Sequence, residues 1–229
     1  FATKLAQQCG QIILEASKTR HTTGNKVFEK FGQQQIKTER KISGSYVQFI
    51  GEETKAAGNN YEFTNKPTWI IDPIDGTTNF VQGFPFVAVS IGLTINKEPV
   101  VGVVFNPFLN ELFTARKGHG AFLNHTIRLP LSHPYPPSVL PSSLSQCLVA
   151  YEYSATRSDL ILNKKISSVH NLLRSPGKVS WSSKKAGAVR GVRCLCSAAL
   201  SICYLAKGCL DIHYTNAWEW DVAAALVIL

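Results

Sequence analysis

The sequence predicts a mixed α/β fold made of layers of helices and sheets. Residues 2–18 place apolar side chains at helical spacing, which predicts an amphipathic first helix. Residues 197–205 form a second apolar segment that is compatible with a helix. Between them, three apolar segments joined by short turns predict an antiparallel meander, at residues 87–93, 100–104 and 111–115. Periodicity alone gives this class and no finer architecture.

The first helix is expected to bury the side that carries Leu5, Cys9, Ile12 and Ile13. The next clear element is the apolar stretch at residues 69–71, which predicts a buried strand. Pro73 cannot donate a hydrogen bond to a sheet, so this strand is expected to stop at Asp72.

The meander is expected to turn at an Asn-Lys pair and at an Asn-Pro pair, and Gly118 and Gly120 mark a loop after it. Residues 132–145, rich in Pro and Ser, predict a connection between two halves. We therefore expect an N-terminal α+β half at residues 1–131 and a C-terminal α/β half at residues 146–229. In the second half, residues 210–214 predict a strand, and Asp221 is expected to open a final helix.

Length and composition agree with a soluble enzyme. The chain has 229 residues, 45% hydrophobic content and a net charge of +9, but the basic residues form neither a dense run nor a pattern interleaved with aromatic residues. We expect the positive potential to attract small anionic substrates, with no nucleic-acid and no membrane partner. Neither a membrane-spanning run nor a secretory leader is evident, which predicts a cytoplasmic protein.

Six cysteines are present, and four of them crowd residues 194–209. Small core thiols in a reducing compartment explain them better than a disulfide framework. Cys194 and Cys196 are separated by one residue, which is not the spacing typical of zinc sites.

The segment WIIDPIDGTTNF at residues 69–80 places two carboxylates at the end of a strand. Asp72 and Asp75 can turn towards one centre, where their charges repel unless protons or cations neutralise them. Gly76 permits a tight bend, and Thr77 and Thr78 are suited to open a helix whose N–H groups would face an anion. An ordinary solvated loop is the alternative, because Asp-Pro and Asp-Gly are common turn signals.

Two further acidic points favour a site over a loop. An apolar run ends in Glu52 and Glu53, and Asp221 stands before a final apolar segment. Three acidic points at the ends of elements indicate one pocket.

The sequence resembles the inositol monophosphatase family of magnesium-dependent, lithium-sensitive phosphatases. The resemblance rests on five motifs: GEE at 51–53, DPIDGTTNF at 72–80, FPFVAVSIG at 84–92, ARKGHGAFLN at 115–124 and WDVAAA at 220–225. It implies the five-layered αβαβα sandwich of the sugar phosphatases and a homodimer.

The resemblance also implies the ligands of two Mg²⁺ ions. The first ion is expected on Glu52, Asp72 and the backbone carbonyl of Ile74, and the second on Asp72, Asp75 and Asp221. Oxygen ligands throughout suit Mg²⁺. A third, weaker ion near Glu52 and inhibition by Li⁺ are further expectations.

The reaction implied is hydrolysis of a phosphate monoester by water. Glu52, Thr77 and Asp75 are the expected catalytic residues, Glu52 and Thr77 by orienting the attacking water. The phosphate is expected to bind at Gly76, Thr77 and Thr78. The alcohol is expected to contact the remaining candidates, Cys196, Ser197, Ala198 and Thr215.

The chain departs from the family pattern in four places. Residues 28–41 lack the usual acidic segment, and Cys196 replaces a customary glycine. A glutamate that many members have near the end is either replaced by Thr215 or shifted by a missing residue. The chain also stops at Leu229, where family members continue.

Inositol monophosphate is the expected substrate. The alternatives are a phosphatase for a nucleotide or a sugar bisphosphate, and a catalytically inactive regulatory homologue. Retention of Glu52, Asp72, Asp75 and Asp221 favours catalysis.

Overall fold

The computed structural model describes residues 1–18, 47–52, 62–131, 141–153, 158–175 and 186–229. Ten strands and six α-helices lie within these ranges. The strands are β1 (Gln48–Gly51), β2 (Thr68–Asp75), β3 (Ala88–Ile95), β4 (Glu98–Asn106), β5 (Glu111–Arg116), β6 (Ala121–Leu123), β7 (Ile127–Arg128), β8 (Leu148–Tyr151), β9 (Gly191–Arg193) and β10 (Ile212–Tyr214). The helices are α1 (Ala2–Ser17), α2 (Thr77–Gln82), α3 (Asp159–Leu173), α4 (Ala198–Ala206), α5 (Glu219–Val222) and α6 (Ala225–Ile228).

The strands form two sheets. The larger sheet has the order β1-β2-β3-β4-β5-β6-β7, in which β1 runs parallel to β2 and every other pair is antiparallel. The smaller sheet has the order β10-β8-β9 and is parallel throughout. The predicted meander is therefore confirmed as β3, β4 and β5.

The two sheets alternate with three helical layers. The apolar side of α1 covers one face of the larger sheet, with Leu5, Cys9 and Ile13 buried as expected. Helices α4 and α6 pack on the opposite face. The smaller sheet contacts α4 through β10 and contacts α3 through β9. Leu172 of α3 packs against the apolar cluster formed by Cys147, Val149 and Val189. The predicted five-layered αβαβα sandwich is confirmed.

The prediction that β2 stops at Asp72 is wrong, because β2 continues to Asp75. The register of β2 against β3 shifts between Asp72, opposite Ser90, and Asp75, opposite Ala88, which marks a β-bulge with one extra residue on β2. Pro73 lies inside this bulge. Its missing N–H is tolerated because the pairing with β1 ends at Ile71, so this part of β2 is an edge.

The C-terminal segment also differs from the single helix that was expected to begin at Asp221. Two short helices form, and Asp221 lies inside the first of them. Both are held against the larger sheet where it carries no side chains. A Cβ atom on Gly92 would lie 2.9 Å from the Ala224 nitrogen, and one on Gly102 would lie 2.0 Å from the Ala224 oxygen.

The boundary between two halves at residues 132–145 stays a prediction, since residues 132–140 lie outside the described ranges. Residues 28–41 and Glu53 lie outside them as well. Of the helices described, none is long and apolar enough to cross a membrane.

Candidate metal centre

The corner at the end of β2 is buried rather than a solvated loop. Asp72 is 2% exposed and Asp75 is 6% exposed. The bulge around Pro73 adds one residue between Asp72 and Asp75. Both residues lie in the last part of β2, just before Gly76 and the start of α2. Two carboxylates are thus held in the protein interior by the backbone that precedes the helix.

Asp221 reaches this corner from the other end of the chain. Helix α5 is fixed to the larger sheet next to Gly92, and the Ser90 hydroxyl donates a hydrogen bond of 3.3 Å to the Trp220 carbonyl. The backbone N–H of Trp218 donates to the Asp221 carboxylate at 2.7 Å, which caps α5. Carboxylate oxygens of Asp72, Asp75 and Asp221 lie within 4.8 Å of one another. We refer to these three residues as the acidic cluster.

Helix α4 fixes Asp75 through its first turn. The Ser197 hydroxyl donates to one carboxylate oxygen, which also accepts the backbone N–H of Ala199 at 2.9 Å. The other oxygen accepts the N–H of Ala198 at 3.3 Å. Ser197 also caps α4 by accepting the N–H of Leu200. Ser197 and Ala198 therefore contact Asp75, while the expectation that they contact the substrate stays a prediction.

Asp72 and Thr77 are linked through the backbone of Ile74. The N–H of Ile74 donates to the Asp72 carboxylate at 2.8 Å. The Thr77 hydroxyl donates to the Ile74 carbonyl at 3.2 Å. The carbonyl that was expected to bind metal thus already orients Thr77, whose side chain is exposed at the start of α2.

Glu52 follows β1 directly and is half-buried. Because β1 is parallel to β2, the carboxyl ends of both strands meet at one edge of the sheet. Glu52 lies close enough for its charge to raise the pKa of Asp72.

Electrostatics oppose ionisation of all three aspartates. Burial raises the pKa of Asp72 well above its usual value, and the charges of Asp75, Glu52 and Asp221 raise it further. Burial also raises the pKa of Asp75, although the hydrogen bond from Ser197 lowers it. Burial is again the largest cause that raises the pKa of Asp221. The three carboxylates can therefore be ionised together only when cations compensate their charge; otherwise protons neutralise them.

A hard divalent cation suits these residues. Within the described ranges, no lysine or arginine forms an ion pair with the acidic cluster. Its donors are carboxylate oxygens, which Mg²⁺ prefers over nitrogen or sulfur ligands. The donor set and the absence of a compensating side chain both fit a cation site.

Two residues shape the turn between the cluster and α2. Gly76 has φ of 90°, and a Cβ atom there would lie 2.8 Å from the Phe86 carbonyl oxygen. Asn79, which sequence analysis missed, is buried and donates to the carbonyls of Phe86 at 2.8 Å and Leu195 at 2.7 Å. Its position inside the DPIDGTTNF motif was the signal that could have found it. Thr78 is exposed beside Thr77 at the start of α2.

The predicted alcohol-binding residues divide between two places. Cys196 lies beside the α4 turn with φ of 55°, a left-handed conformation that favours glycine, which explains why glycine is customary there. Glu152, also missed, is buried and accepts the N–H groups of Leu195 at 3.2 Å and Cys196 at 3.0 Å. Thr215 follows β10, and among the hydrogen bonds of the described residues none joins it to the acidic cluster.

Comparison with known proteins shows the family to which this chain is similar. The model of the inositol monophosphatase family matches residues 1–229. Inositol monophosphatase 3 of Solanum lycopersicum is 40% identical over 241 residues, covering 100% of this chain and 81% of the relative. Protein qutG of Emericella nidulans is 36% identical over 249 residues, covering 100% of this chain and 74% of the relative.

Solved structures show the same fold. SuhB of Mycobacterium tuberculosis superposes with a TM-score of 0.76 at 25% identity, over 99% of this chain and 80% of that one. The 2'AMP-bound structure of the staphylococcal SaIMPase-II superposes with a TM-score of 0.72 at 28% identity, over 100% of this chain and 77% of that one. The chain belongs to the inositol monophosphatase family.

Proposed function

We propose that the protein is a Mg²⁺-dependent phosphatase that hydrolyses inositol monophosphate to inositol and phosphate. The observation that carries this proposal is the acidic cluster, whose carboxylate oxygens lie within 4.8 Å of one another in a buried corner. Family membership and the name of the tomato relative support the reaction class and the substrate.

In this proposal two ions share Asp72. Glu52, Asp72 and the Ile74 carbonyl would hold one Mg²⁺, and Asp72, Asp75 and Asp221 would hold the other. The raised pKa values of the three aspartates support this assignment. Without a cation the protein disfavours their ionised form, and a bound Mg²⁺ would stabilise that form. Li⁺ is expected to inhibit by taking a Mg²⁺ position, and a third ion beside Glu52 belongs to the same proposal.

When bound, Mg²⁺ would neutralise the phosphate dianion and supply Lewis acidity towards both the attacking and the leaving oxygen. The protein's own groups orient the water. Thr77 donates its hydroxyl proton to the Ile74 carbonyl, so its oxygen accepts a hydrogen from the water. Glu52 accepts the second hydrogen and takes the proton.

The phosphate would lie against the backbone N–H groups at Gly76, Thr77 and Thr78. The water oxygen bonds to phosphorus while the bond from phosphorus to the alcohol oxygen breaks, and the alcohol leaves with a proton from solvent. Asp75 stays fixed throughout, because Ser197 and the start of α4 hold both of its oxygens.

A nucleotide or sugar phosphate is the second candidate substrate. A 2'AMP-bound structure of SaIMPase-II supports a nucleotide. The relative protein qutG does not carry the name inositol monophosphatase, so the names of the relatives do not all point to inositol monophosphate. Cys196 and Thr215, which depart from the family pattern, lie among the residues that we propose contact the alcohol. An inactive regulatory role is disfavoured because Glu52 and the acidic cluster are all present.

Phosphate release from a panel of inositol, sugar and nucleotide phosphates tests the proposal. We expect the highest rate with inositol monophosphate, full dependence on Mg²⁺ and inhibition by millimolar Li⁺. A faster rate with a nucleotide or bisphosphate would replace the substrate but keep the reaction. Absence of Mg²⁺-dependent release from every substrate would favour the inactive homologue.

The homodimer and the cytoplasmic location are proposals that rest on the resemblance and on composition. Light scattering during size-exclusion chromatography measures the oligomeric state, and we expect a mass twice the 25.2 kDa of the chain.

A further inference from the structure

A second group of metal-ligating side chains lies outside the acidic cluster. Glu152, Cys194 and Cys196 each place one ligand atom within 4.8 Å of the other two. We propose that this group, the thiol cluster, binds a thiophilic divalent cation of the Zn²⁺ class. The thiol cluster shares no residue with the acidic cluster, but Cys196 also belongs to the residues that we propose contact the alcohol.

The thiol cluster is built on the small sheet. Glu152 follows β8 directly and is 7% exposed, while Cys194 follows β9, the neighbouring strand. The N–H groups of Leu195 and Cys196 donate to the Glu152 carboxylate and hold the loop in place. Both cysteines are exposed and free, so a cation can reach them from solvent.

The spacing of the ligand atoms matches tetrahedral zinc. The two sulfur atoms are 3.8 Å apart, and the Cys194 sulfur is 3.5 Å from a Glu152 oxygen. With Zn–S of about 2.3 Å and Zn–O of about 2.0 Å, a tetrahedral centre separates two sulfurs by about 3.8 Å and a sulfur from an oxygen by about 3.5 Å. The side chains would therefore need little movement to bind.

Backbone conformation is a second observation at this site. Cys196 adopts φ of 55°, which costs an L-residue free energy that glycine would avoid. That conformation, fixed by the hydrogen bond from its N–H to Glu152, brings its sulfur to the Cys194 sulfur.

Three ligands leave a fourth position open. Water can fill that position, as it does in zinc sites with three protein ligands.

Sequence spacing alone does not predict the thiol cluster. Cys-x-Cys is shorter than the usual pair in a zinc motif, and the third ligand lies 42 residues before Cys194. The parallel pairing of β8 with β9 brings the two segments together.

Cadmium titration of the full chain tests the proposal, with Mg²⁺ saturating so that the acidic cluster is occupied. Cd²⁺ bound to thiolate gives an ultraviolet charge-transfer band, and each thiol releases its proton on binding. We expect the band to saturate at one equivalent. Cys194→Ser should weaken Cd²⁺ binding by about a hundredfold or more, since even partners of a ligand are worth roughly 10- to 100-fold.

Cys209→Ser is the matched control, because Cys209 is an exposed free thiol outside the thiol cluster. We expect it to leave the band and the affinity unchanged. A wild-type protein without the band, or a Cys194→Ser variant that binds as tightly, would show that these thiols are only hydrogen-bonded to each other and to Glu152.

A second measurement uses the wild-type protein alone and does not depend on a variant that folds. Alkylation of each cysteine, read by peptide mass, is compared with and without one equivalent of Zn²⁺. We expect Zn²⁺ to protect Cys194 and Cys196 but not Cys209. Equal alkylation of all three with and without Zn²⁺ would overturn the proposal.

Discussion

Asp75 is the residue on which opposite electrostatic effects meet. Burial and the charge of Asp221 raise its pKa to about 7, while the Ser197 hydroxyl and the N–H groups of Ala198 and Ala199 lower it. Three donors aimed at one carboxylate favour its charged form, as at any helix N-terminus. The residue is thus positioned to be ionised once a cation compensates it.

Replacing Asp75 with Asn should nearly abolish turnover at moderate Mg²⁺. The amide keeps the size of the side chain but lacks the charge, and loss of about 4 kcal/mol of transition-state stabilisation corresponds to about a thousandfold in rate. Steady-state phosphate release measures the effect. Asp159→Asn, at an exposed aspartate that opens α3, is the control. Near-wild-type turnover of Asp75→Asn would remove Asp75 from the site.

Replacing Cys196 with Gly should stabilise the protein, in contrast to most substitutions. Glycine adopts the left-handed conformation at φ of 55° without strain, so we expect a gain of about 1 kcal/mol and a rise in Tm of about 2–4 °C. Thermal unfolding in the presence of a chelator measures it. Cys209→Gly removes the same atoms at a residue without positive φ and should bring no gain. A lower Tm for Cys196→Gly would show that the thiol contributes more than the strain costs.

At this scale the sequence predicted the acidic residues but not their partners. Asp72 and Asp75 are recognisable because the motif that holds them is local. Ser197 lies 122 residues from Asp75, and its contact exists only because α4 begins against the corner of β2. Glu152 likewise depends on strand pairing that no short motif encodes.

At the scale of elements, the bulge in β2 shows how a proline can be accommodated without ending a strand. Propensity predicted a stop at Asp72 because Pro73 lacks an N–H. The sequence does not reveal that β1 ends beside Ile71, which leaves this part of β2 with one neighbour and makes the missing donor harmless. The strand therefore carries Asp75 to its last position.

The packing of α5 and α6 against the larger sheet depends on Gly102. A Cβ atom there would lie 2.0 Å from the Ala224 oxygen, so Gly102→Ala should displace the segment that carries Asp221. We expect a loss of about 1–3 kcal/mol in the free energy of unfolding and a weaker response to Mg²⁺. Thermal unfolding and the Mg²⁺ dependence of phosphate release measure the two effects.

Gly191→Ala is the control for this substitution. The nearest atom to a Cβ at Gly191 belongs to the flexible guanidinium of Arg193, at 3.1 Å, which can move. We expect this variant to keep the wild-type Mg²⁺ response. Equal behaviour of the two variants would mean that close approach at Gly102 does not position Asp221.

At the scale of the whole molecule, the site joins two layers of the sandwich. The end of β2 supplies Asp72 and Asp75 from the larger sheet, and the helical layer on its opposite face supplies the α4 turn and Asp221. Hydrophobic periodicity predicted helices and strands but not their layering, because layering is decided by which faces pack together. The expected five layers came from the family resemblance.

Stability should depend on pH and Mg²⁺ together. A carboxyl with a raised pKa contributes stability that is complete below the unfolded value of about 3.9 and is lost as pH rises through the folded pKa, about 7 for Asp75. Mg²⁺ binds the charged form and offsets this loss, so the rise in Tm that Mg²⁺ causes should be larger at about pH 8 than at about pH 5.

Thermal unfolding with Mg²⁺ or with a chelator, over this pH range, measures the effect. Asp75→Asn should flatten the pH dependence of the Mg²⁺-induced shift, and Asp159→Asn should retain it. A shift that is independent of pH in the wild-type protein would contradict the linkage between Mg²⁺ and the acidic cluster.

The most direct measurement is a crystal structure grown with Mn²⁺ in place of Mg²⁺, with anomalous scattering used to locate the ions. Mn²⁺ accepts the same oxygen ligands and is visible by its anomalous signal. We predict strong peaks bridged by Asp72, with Asp75 and Asp221 as further ligands of one ion and Glu52 as a ligand of the other. The absence of any peak at the acidic cluster would contradict the account.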